Sequence, residues 1–171
     1  MKKKFSILSF EIISTIFIIV LGTILHFTYD WSGDNFVVSL FSAVNESTWE
    51  HLKLVFVPMT ITTIIGSLLF RKDYPFYFCN KIKGIILAML LIVILFYTYT
   101  GVLGKNYAFF DISLFFIAVI VSQINSYKKI ISNSSCNNLI AVIILIVLII
   151  SFFIFTVYPP NIGIFNSPIT K

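Results

Sequence analysis

Residues 45–53 form the densest group of side chains in this sequence that could bind an ion or move a proton. The stretch contains two carboxylates, an imidazole, an ammonium group, an indole and an amide. A carboxylate beside an imidazole can relay protons or hold a cationic ligand. The candidate ligand-binding residues of this stretch are Asn45, Glu46, Trp49, Glu50, His51 and Lys53.

The elements that must position these residues are set by the composition of the chain. Of the 171 residues, 58% are hydrophobic and only 11% are charged, whereas soluble domains carry about 25% charged residues. Lipid is therefore the expected solvent. The formal net charge of +5 could indicate nucleic-acid binding in a soluble protein, but here the basic residues fall in short loops, and we expect no nucleic-acid partner.

Apolar runs of about 20 residues have the length that a helix needs to cross the hydrocarbon layer. We predict an all-α fold, a single integral membrane domain over residues 1–171 built as a five-helix transmembrane bundle. The first run exceeds the apolar core of a signal peptide, about 7–15 residues, and no cleavage site follows, so we expect it to be retained. The predicted spans are residues 5–26, 48–70, 84–104, 108–125 and 139–158.

The distribution of Lys and Arg predicts the orientation, because positive loops stay on the cytoplasmic side. With the N-terminus in and the C-terminus out, only Lys53, Lys105 and Lys171 lie outside. The cytoplasmic segments then hold most of the 12 basic residues, namely Lys2, Lys3, Lys4, Arg71, Lys72, Lys81, Lys83, Lys128 and Lys129. Cys79 and Cys136 would lie in cytoplasmic loops, where thiols stay reduced, and their spacing suggests neither a disulfide nor a zinc site.

In this topology several ionisable residues share the outer level of the membrane. His26 ends the first span there, Asp111 begins the fourth, and both join the candidates of residues 45–53. His26, His51 and Glu50 could supply the three protein ligands of a divalent metal site. Against this, neighbouring residues diverge by about 100° on a helix, and only two histidines exist in the chain.

The same stretch also has a structural interpretation. Ser47 and Glu50 fit a capping box at the start of the second span, and Glu50 can pair with Lys53 three residues on. Trp49 would be an interfacial anchor. We expect a turn at residues 32–35, followed by a short interfacial or re-entrant segment, and a flexible tail after Pro159.

Glu11 lies inside the first span, where a carboxylate is costly unless it is paired, hydrated or protonated. It falls on the same arc of the helix as Ser14, Thr15, Gly22 and His26. That arc is predicted to face other helices. The alternative is that Glu11 reaches back to the inner interface.

Three strings stand out together: residues 25–33 (LHFTYDWSG), 40–53 (LFSAVNESTWEHLK) and 155–160 (FTVYPP). With the five-span hydropathy, this set resembles a family of small bacterial multi-pass membrane proteins of unknown function. The resemblance implies a location in the bacterial cell membrane, with the lipid bilayer as partner. It implies no catalytic residues.

Three functions remain open from the sequence. The first is binding or transport of an ion or small molecule in a polar pocket near the outer leaflet. The second is a membrane-embedded, metal-dependent hydrolase using the two histidines and nearby carboxylates. The third is a structural or partner-binding membrane subunit, in which residues 45–53 serve only to cap and anchor a helix.

Overall fold

A computed structural model describes residues 6–167 and confirms the all-α class, since it contains helices and no strand within that range. Five of the helices are long and apolar enough to cross a membrane, as in a multi-pass membrane protein. The long helices are α1 (Ile7–Trp31), α3 (Thr48–Phe70), α4 (Tyr77–Leu103), α5 (Ala108–Ile131) and α6 (Asn138–Val157), and the short elements are α2 (Phe36–Ser39) and a 3₁₀ turn at Gly163–Phe165.

The predicted and observed bounds agree for α3 and differ most at the start of α4 and the end of α5. Helix α4 begins at Tyr77, well before the predicted start at residue 84, because no helix breaker stands between Pro75 and Gly84. Lys81 therefore lies in a helix and not in a loop. Helix α5 runs on to Ile131. The predicted start of the first span at residue 5, with Lys2–Lys4 before it, and the final Lys171 lie outside the described residues.

Helix α3 is the most enclosed of the five candidate spans. It packs against α1 and α4, while α4 also contacts α5 and α6. Ile18, Val55, Met59, Ile85 and Ala118 meet in the core with no exposed surface. The large apolar residues of α6 point mostly outwards, as expected where the surrounding medium is hydrocarbon.

Two glycines allow the helices to approach closely. A Cβ at Gly66 of α3 would overlap the phenol ring of Tyr77 on α4. A Cβ at Gly22 of α1 would overlap the carbonyl oxygen of Leu54 and the ring of Phe115. Small residues at these positions bring α1, α3, α4 and α5 together, as is usual in membrane bundles.

Residues 32–47, the α1–α3 loop, fold back onto α1. The expected turn is present, with positive φ at Gly33 (67°) and Asp34 (60°), and α2 follows it. The Ser42 hydroxyl donates to the Leu25 carbonyl and accepts from the Tyr29 amide at 3.1 Å. The loop is therefore fixed against the end of α1.

The two cysteines do not stay apart, so the expectation of separate thiols is wrong. Cys79 and Cys136 form a disulfide with a Cα–Cα distance of 6.1 Å. They meet because the start of α6 packs on the start of α4: the Asn138 side chain accepts from the Cys79 amide at 3.2 Å and donates to the Pro75 carbonyl at 3.0 Å. The two cysteines are 57 residues apart in the sequence, so no local pattern predicts that they lie close together.

The segment after α6 is not free along its described length, in contrast to the predicted flexible tail. The ring of Phe165, in the 3₁₀ turn, lies 4.9 Å from the Trp49 ring. Trp49 also packs against Phe152 and Phe155 of α6, with ring centroids at 4.8 and 5.4 Å. Trp49 thus joins the start of α3 to the end of the chain's last span.

Candidate functional site

The side chains of Ser47 and Asn45 cap the start of α3. The Ser47 hydroxyl accepts from the Glu50 amide at 3.3 Å, which is the N-cap half of the predicted capping box. The Glu50 carboxylate does not complete the box. Instead, the Asn45 side chain accepts from the Ser47 amide at 2.9 Å. Asn45 therefore serves the geometry of the helix start.

Glu50 and Lys53 form the predicted ion pair, with Nζ and Oε2 at 2.6 Å. Both are buried, with 2% and 0% of their surface exposed. The Lys53 ammonium also donates to the carbonyl oxygens of Ser39 and Ser42 at 2.8 and 3.3 Å, and the Glu50 carboxylate accepts from the Val44 amide at 3.1 Å. The pair fixes the α1–α3 loop to α3.

This fixed loop brings Glu46 to the two histidines. The Glu46 carboxylate lies 3.4 Å from His51 Nε2, and the rings of His26 and His51 have centroids 5.1 Å apart. One potential ligand atom from each of His26, Glu46 and His51 lies within 4.8 Å of the others. Three elements therefore converge: the end of α1, the loop, and the first turn of α3.

The tautomer of the neutral His51 ring follows from its contact with the main chain. Its Nδ1 lies 2.9 Å from the Ser47 carbonyl oxygen, which can only accept a hydrogen bond, so Nδ1 carries the proton. In the neutral ring, Nε2 then holds a free lone pair directed to the Glu46 side. His26 Nδ1 is buried and has no hydrogen-bond partner among the described residues.

The cluster stands at one end of a cavity of about 410 Å³. The walls are mostly apolar and come from α1, α3, α4 and α5. Asp111 also lines this cavity and accepts a hydrogen bond from the Tyr99 hydroxyl. A cavity of this size with a few polar groups is typical of small-molecule sites.

The eight candidates from the sequence fall into two groups. His26, Glu46, His51 and Asp111 line the cavity. Asn45, Trp49, Glu50 and Lys53 lie behind it, in capping, aromatic packing and the buried ion pair. The carboxylate next to the histidines is Glu46, whereas the predicted metal set named Glu50. The reason is the divergence of adjacent helical residues, which turns Glu50 away from His51.

A second polar group, the inner network, lies towards the other end of the helices. The Lys81 ammonium donates to Glu11 Oε2 at 2.8 Å and to Gln123 Oε1 at 2.6 Å. The Tyr77 hydroxyl donates to Glu11 Oε1 at 2.7 Å. Two interpretations of Glu11 were open. The one in which the polar arc of α1 that carries Glu11 faces other helices is confirmed.

The role of Lys81 was not predicted, because the basic segment around it resembles a loop, whereas it lies in α4. The signal that could have found it was Glu11 itself. A carboxylate inside a span calls for a cation at the same depth, and Lys81 follows Pro75 by more than one helical turn. Gln123, the amide in the fourth predicted span, could have been added in the same way.

The chain belongs to DUF6512, a family of unknown function whose model matches residues 1–171. No curated protein and no solved structure matches it.

Proposed function

We propose that this member of a family of unknown function is an integral membrane protein that binds a divalent transition-metal ion at the polar end of a ligand-binding cavity. His26, Glu46 and His51 would be the protein ligands. The observation that carries the proposal is the convergence of their ligand atoms to within 4.8 Å on three separate parts of the chain.

The chemistry of the three side chains fits zinc or a similar ion. Two imidazoles and one carboxylate are a known zinc ligand set that leaves a fourth position for water or another ligand. Tetrahedral zinc with bonds of about 2.0–2.1 Å separates its ligand atoms by about 3.3 Å, close to the 3.4 Å between Glu46 and His51. Rotation of the exposed Glu46 side chain can adjust its distance to His26, and the two imidazole nitrogen atoms already lie within 4.8 Å of each other.

The hydrogen bonds around the cluster support metal binding. The Ser47 carbonyl orients the His51 ring from behind, an arrangement that metal-binding histidines commonly have. The buried pair Glu50–Lys53 holds the loop that carries Glu46. A role in capping alone would explain Ser47 and Asn45, but it leaves the meeting of His26 with Glu46 and His51 without a reason.

Binding is favoured over hydrolysis by the state of the remaining carboxylate in the cavity. A hydrolase would need a general base close to the metal-bound water. Asp111 accepts a hydrogen bond from the Tyr99 hydroxyl and does not belong to the group of converging ligand atoms, while Glu46 would be a ligand. We therefore propose a site that holds an ion with a small molecule.

The site would face the outside of a bacterial cell. Lys105 lies near the ends of the helices that surround the cavity, whereas Arg71, Lys72, Lys83, Lys128 and Lys129 lie near the opposite ends. The excess of positive charge on the second side favours that side as cytoplasmic. The Cys79–Cys136 disulfide lies at the same helix ends and would be an exception there, since cytoplasmic thiols are mostly reduced. The metal would then come from the extracytoplasmic space.

Zinc binding to purified protein tests the proposal. The protein is isolated with a tag that contains no histidine, dialysed against buffered zinc, and analysed for metal by mass spectrometry. We expect about one zinc ion per chain, with affinity reduced at least about tenfold in His26→Ala, His51→Ala and Glu46→Gln, because each removes one of three ligands.

Asp34→Asn is the matched control, since Asp34 is an exposed carboxylate in the same loop as Glu46 and lies outside the cluster. Its zinc affinity should equal that of the wild type. Absence of zinc from the wild-type protein, or equal binding by all variants, would show that these three residues do not form a metal site.

A further inference from the structure

The cavity next to the proposed metal site has features of a site for an amphiphile. We infer that its ligand is a small molecule with one apolar body and a metal-binding, oxygen-containing head group such as a carboxylate or hydroxamate. This inference rests on the proposed function, because the metal ion would hold the head group.

The shape of the cavity supports a ligand with an apolar body. Leu54, Ile92, Phe96, Leu114 and Phe115 all contribute to the walls, so a fully polar molecule would lose much of its hydration along this apolar part of the cavity without replacement hydrogen bonds. The volume of about 410 Å³ lies in the range of sites that enclose drug-sized ligands.

The polar groups of the cavity support a head group at one end. His26, Glu46 and His51 are close together, and the lining contains no Lys or Arg. An anionic head group would therefore find no ammonium or guanidinium partner on the cavity wall. A bound divalent ion would supply the positive charge and an open coordination position.

The exposure of the lining residues indicates a way in from the membrane. Phe27 of α1 and Ile112 of α5 line the cavity, yet 45% and 56% of their surfaces are exposed. Both belong to candidate spans, at the ends nearer the metal cluster. An apolar body could pass between α1 and α5 while its head group stays at the interface, where amphiphiles concentrate.

A pair of hydroxamates with the same head group tests the inference. Octanohydroxamic acid and acetohydroxamic acid are titrated into zinc-loaded protein in lipid nanodiscs, with empty nanodiscs as the reference for partitioning. We expect the octyl compound to bind at least about tenfold more tightly, since several methylene groups would leave water. Removal of zinc should abolish this specific binding of both.

Two tryptophan substitutions on α5 locate the apolar body. Leu114→Trp should fill part of the cavity and remove the preference for the octyl chain without changing zinc affinity. Ile117→Trp is the control, because Ile117 lies on the same helix, is exposed and does not line the cavity. It should keep both the zinc affinity and the chain preference.

The outcomes separate this inference from the proposed function. If zinc binds but the two hydroxamates bind equally, the amphiphile inference is wrong and the metal site stands. If the octyl compound binds as well without zinc or in Glu46→Gln, its head group does not reach the metal, and the inference is again wrong. If no zinc binds, both proposals fail.

Discussion

At the scale of single residues, neighbouring side chains of the 45–53 stretch have separate tasks. Glu50 points into the protein and pairs with Lys53, whereas His51 points to the cavity and meets Glu46. The rotation of about 100° per residue on a helix produces this division. Of the two carboxylates in this stretch, Glu50 therefore stabilises the fold and Glu46 lies at the candidate site.

Lys81 is the residue whose removal should most disturb the fold. It is fully buried and its ammonium joins Glu11 of α1 to Gln123 of α5. Lys81→Met would leave the Glu11 carboxylate buried with only the Tyr77 hydroxyl as partner among residues 6–167. Loss of one member of a buried ion pair costs about 3–5 kcal/mol in soluble proteins, and we expect a large fall in the thermal unfolding midpoint in detergent.

Lys83→Met provides the matched control, since Lys83 lies two positions along the same helix and is exposed. It should leave the midpoint almost unchanged. The double variant Glu11→Gln/Lys81→Met should recover part of the loss, because it removes the unpaired charge. Equal midpoints for Lys81→Met and Lys83→Met would contradict a stabilising role for the inner network.

At the scale of elements, the sequence predicted what depends on local patterns. All five long helices, the N-cap at Ser47, the Glu50–Lys53 pair and the turn before α2 are present. Helices α4 and α5 extend beyond the predicted spans at the start of α4 and the end of α5, where polar residues were assigned to loops. Tyr77 and Lys81 find partners on other helices, which no window along one segment can show.

The same limit explains what was found and missed at the candidate site. Shared depth in the membrane was enough to group His26, His51 and Asp111, which line one cavity. That Glu46 and not Glu50 lies beside the histidines depends on how the α1–α3 loop folds back. Lys53 holds this loop by hydrogen bonds to the Ser39 and Ser42 carbonyl oxygens. Contacts of this kind join distant positions and leave no periodic signal.

The contact between α3 and α4 depends on the absence of a side chain at Gly66. A Cβ there would overlap the Tyr77 phenol, whose hydroxyl holds Glu11. We expect Gly66→Ala to destabilise the protein by about 1–3 kcal/mol, as overpacked cores do. Lowered thermal stability in detergent would be the readout.

Gly101→Ala is the comparison for this substitution. Gly101 is also helical, and a Cβ at that position would meet nothing within 4 Å. Since alanine is the better helix former, this variant should be as stable as the wild type or slightly more stable. If Gly66→Ala behaved like Gly101→Ala, the close approach at Gly66 would have no energetic importance.

At the scale of the whole molecule, two polar layers are separated by an apolar core. The cluster of His26, Glu46 and His51 and the cavity occupy one end of the bundle, and the inner network joins α1, α4 and α5 towards the other. Between them lie Ile18, Val55, Met59 and Ile85, all without exposed surface. The helices are thus tied together at one end and enclose a cavity at the other.

Fusion reporters at the two termini test how these two layers are oriented across the membrane. The positive loops favour a cytoplasmic inner network, an N-terminus inside and a C-terminus outside. A fluorescent protein fused to the N-terminus should therefore fold in the cytoplasm, and alkaline phosphatase fused to the C-terminus should be active in the bacterial periplasm. One active and one inactive reporter would place both termini in the same compartment and contradict an odd number of spans. Two inactive reporters would indicate the reverse orientation, with the proposed metal site on the cytoplasmic side and the source of its ion with it.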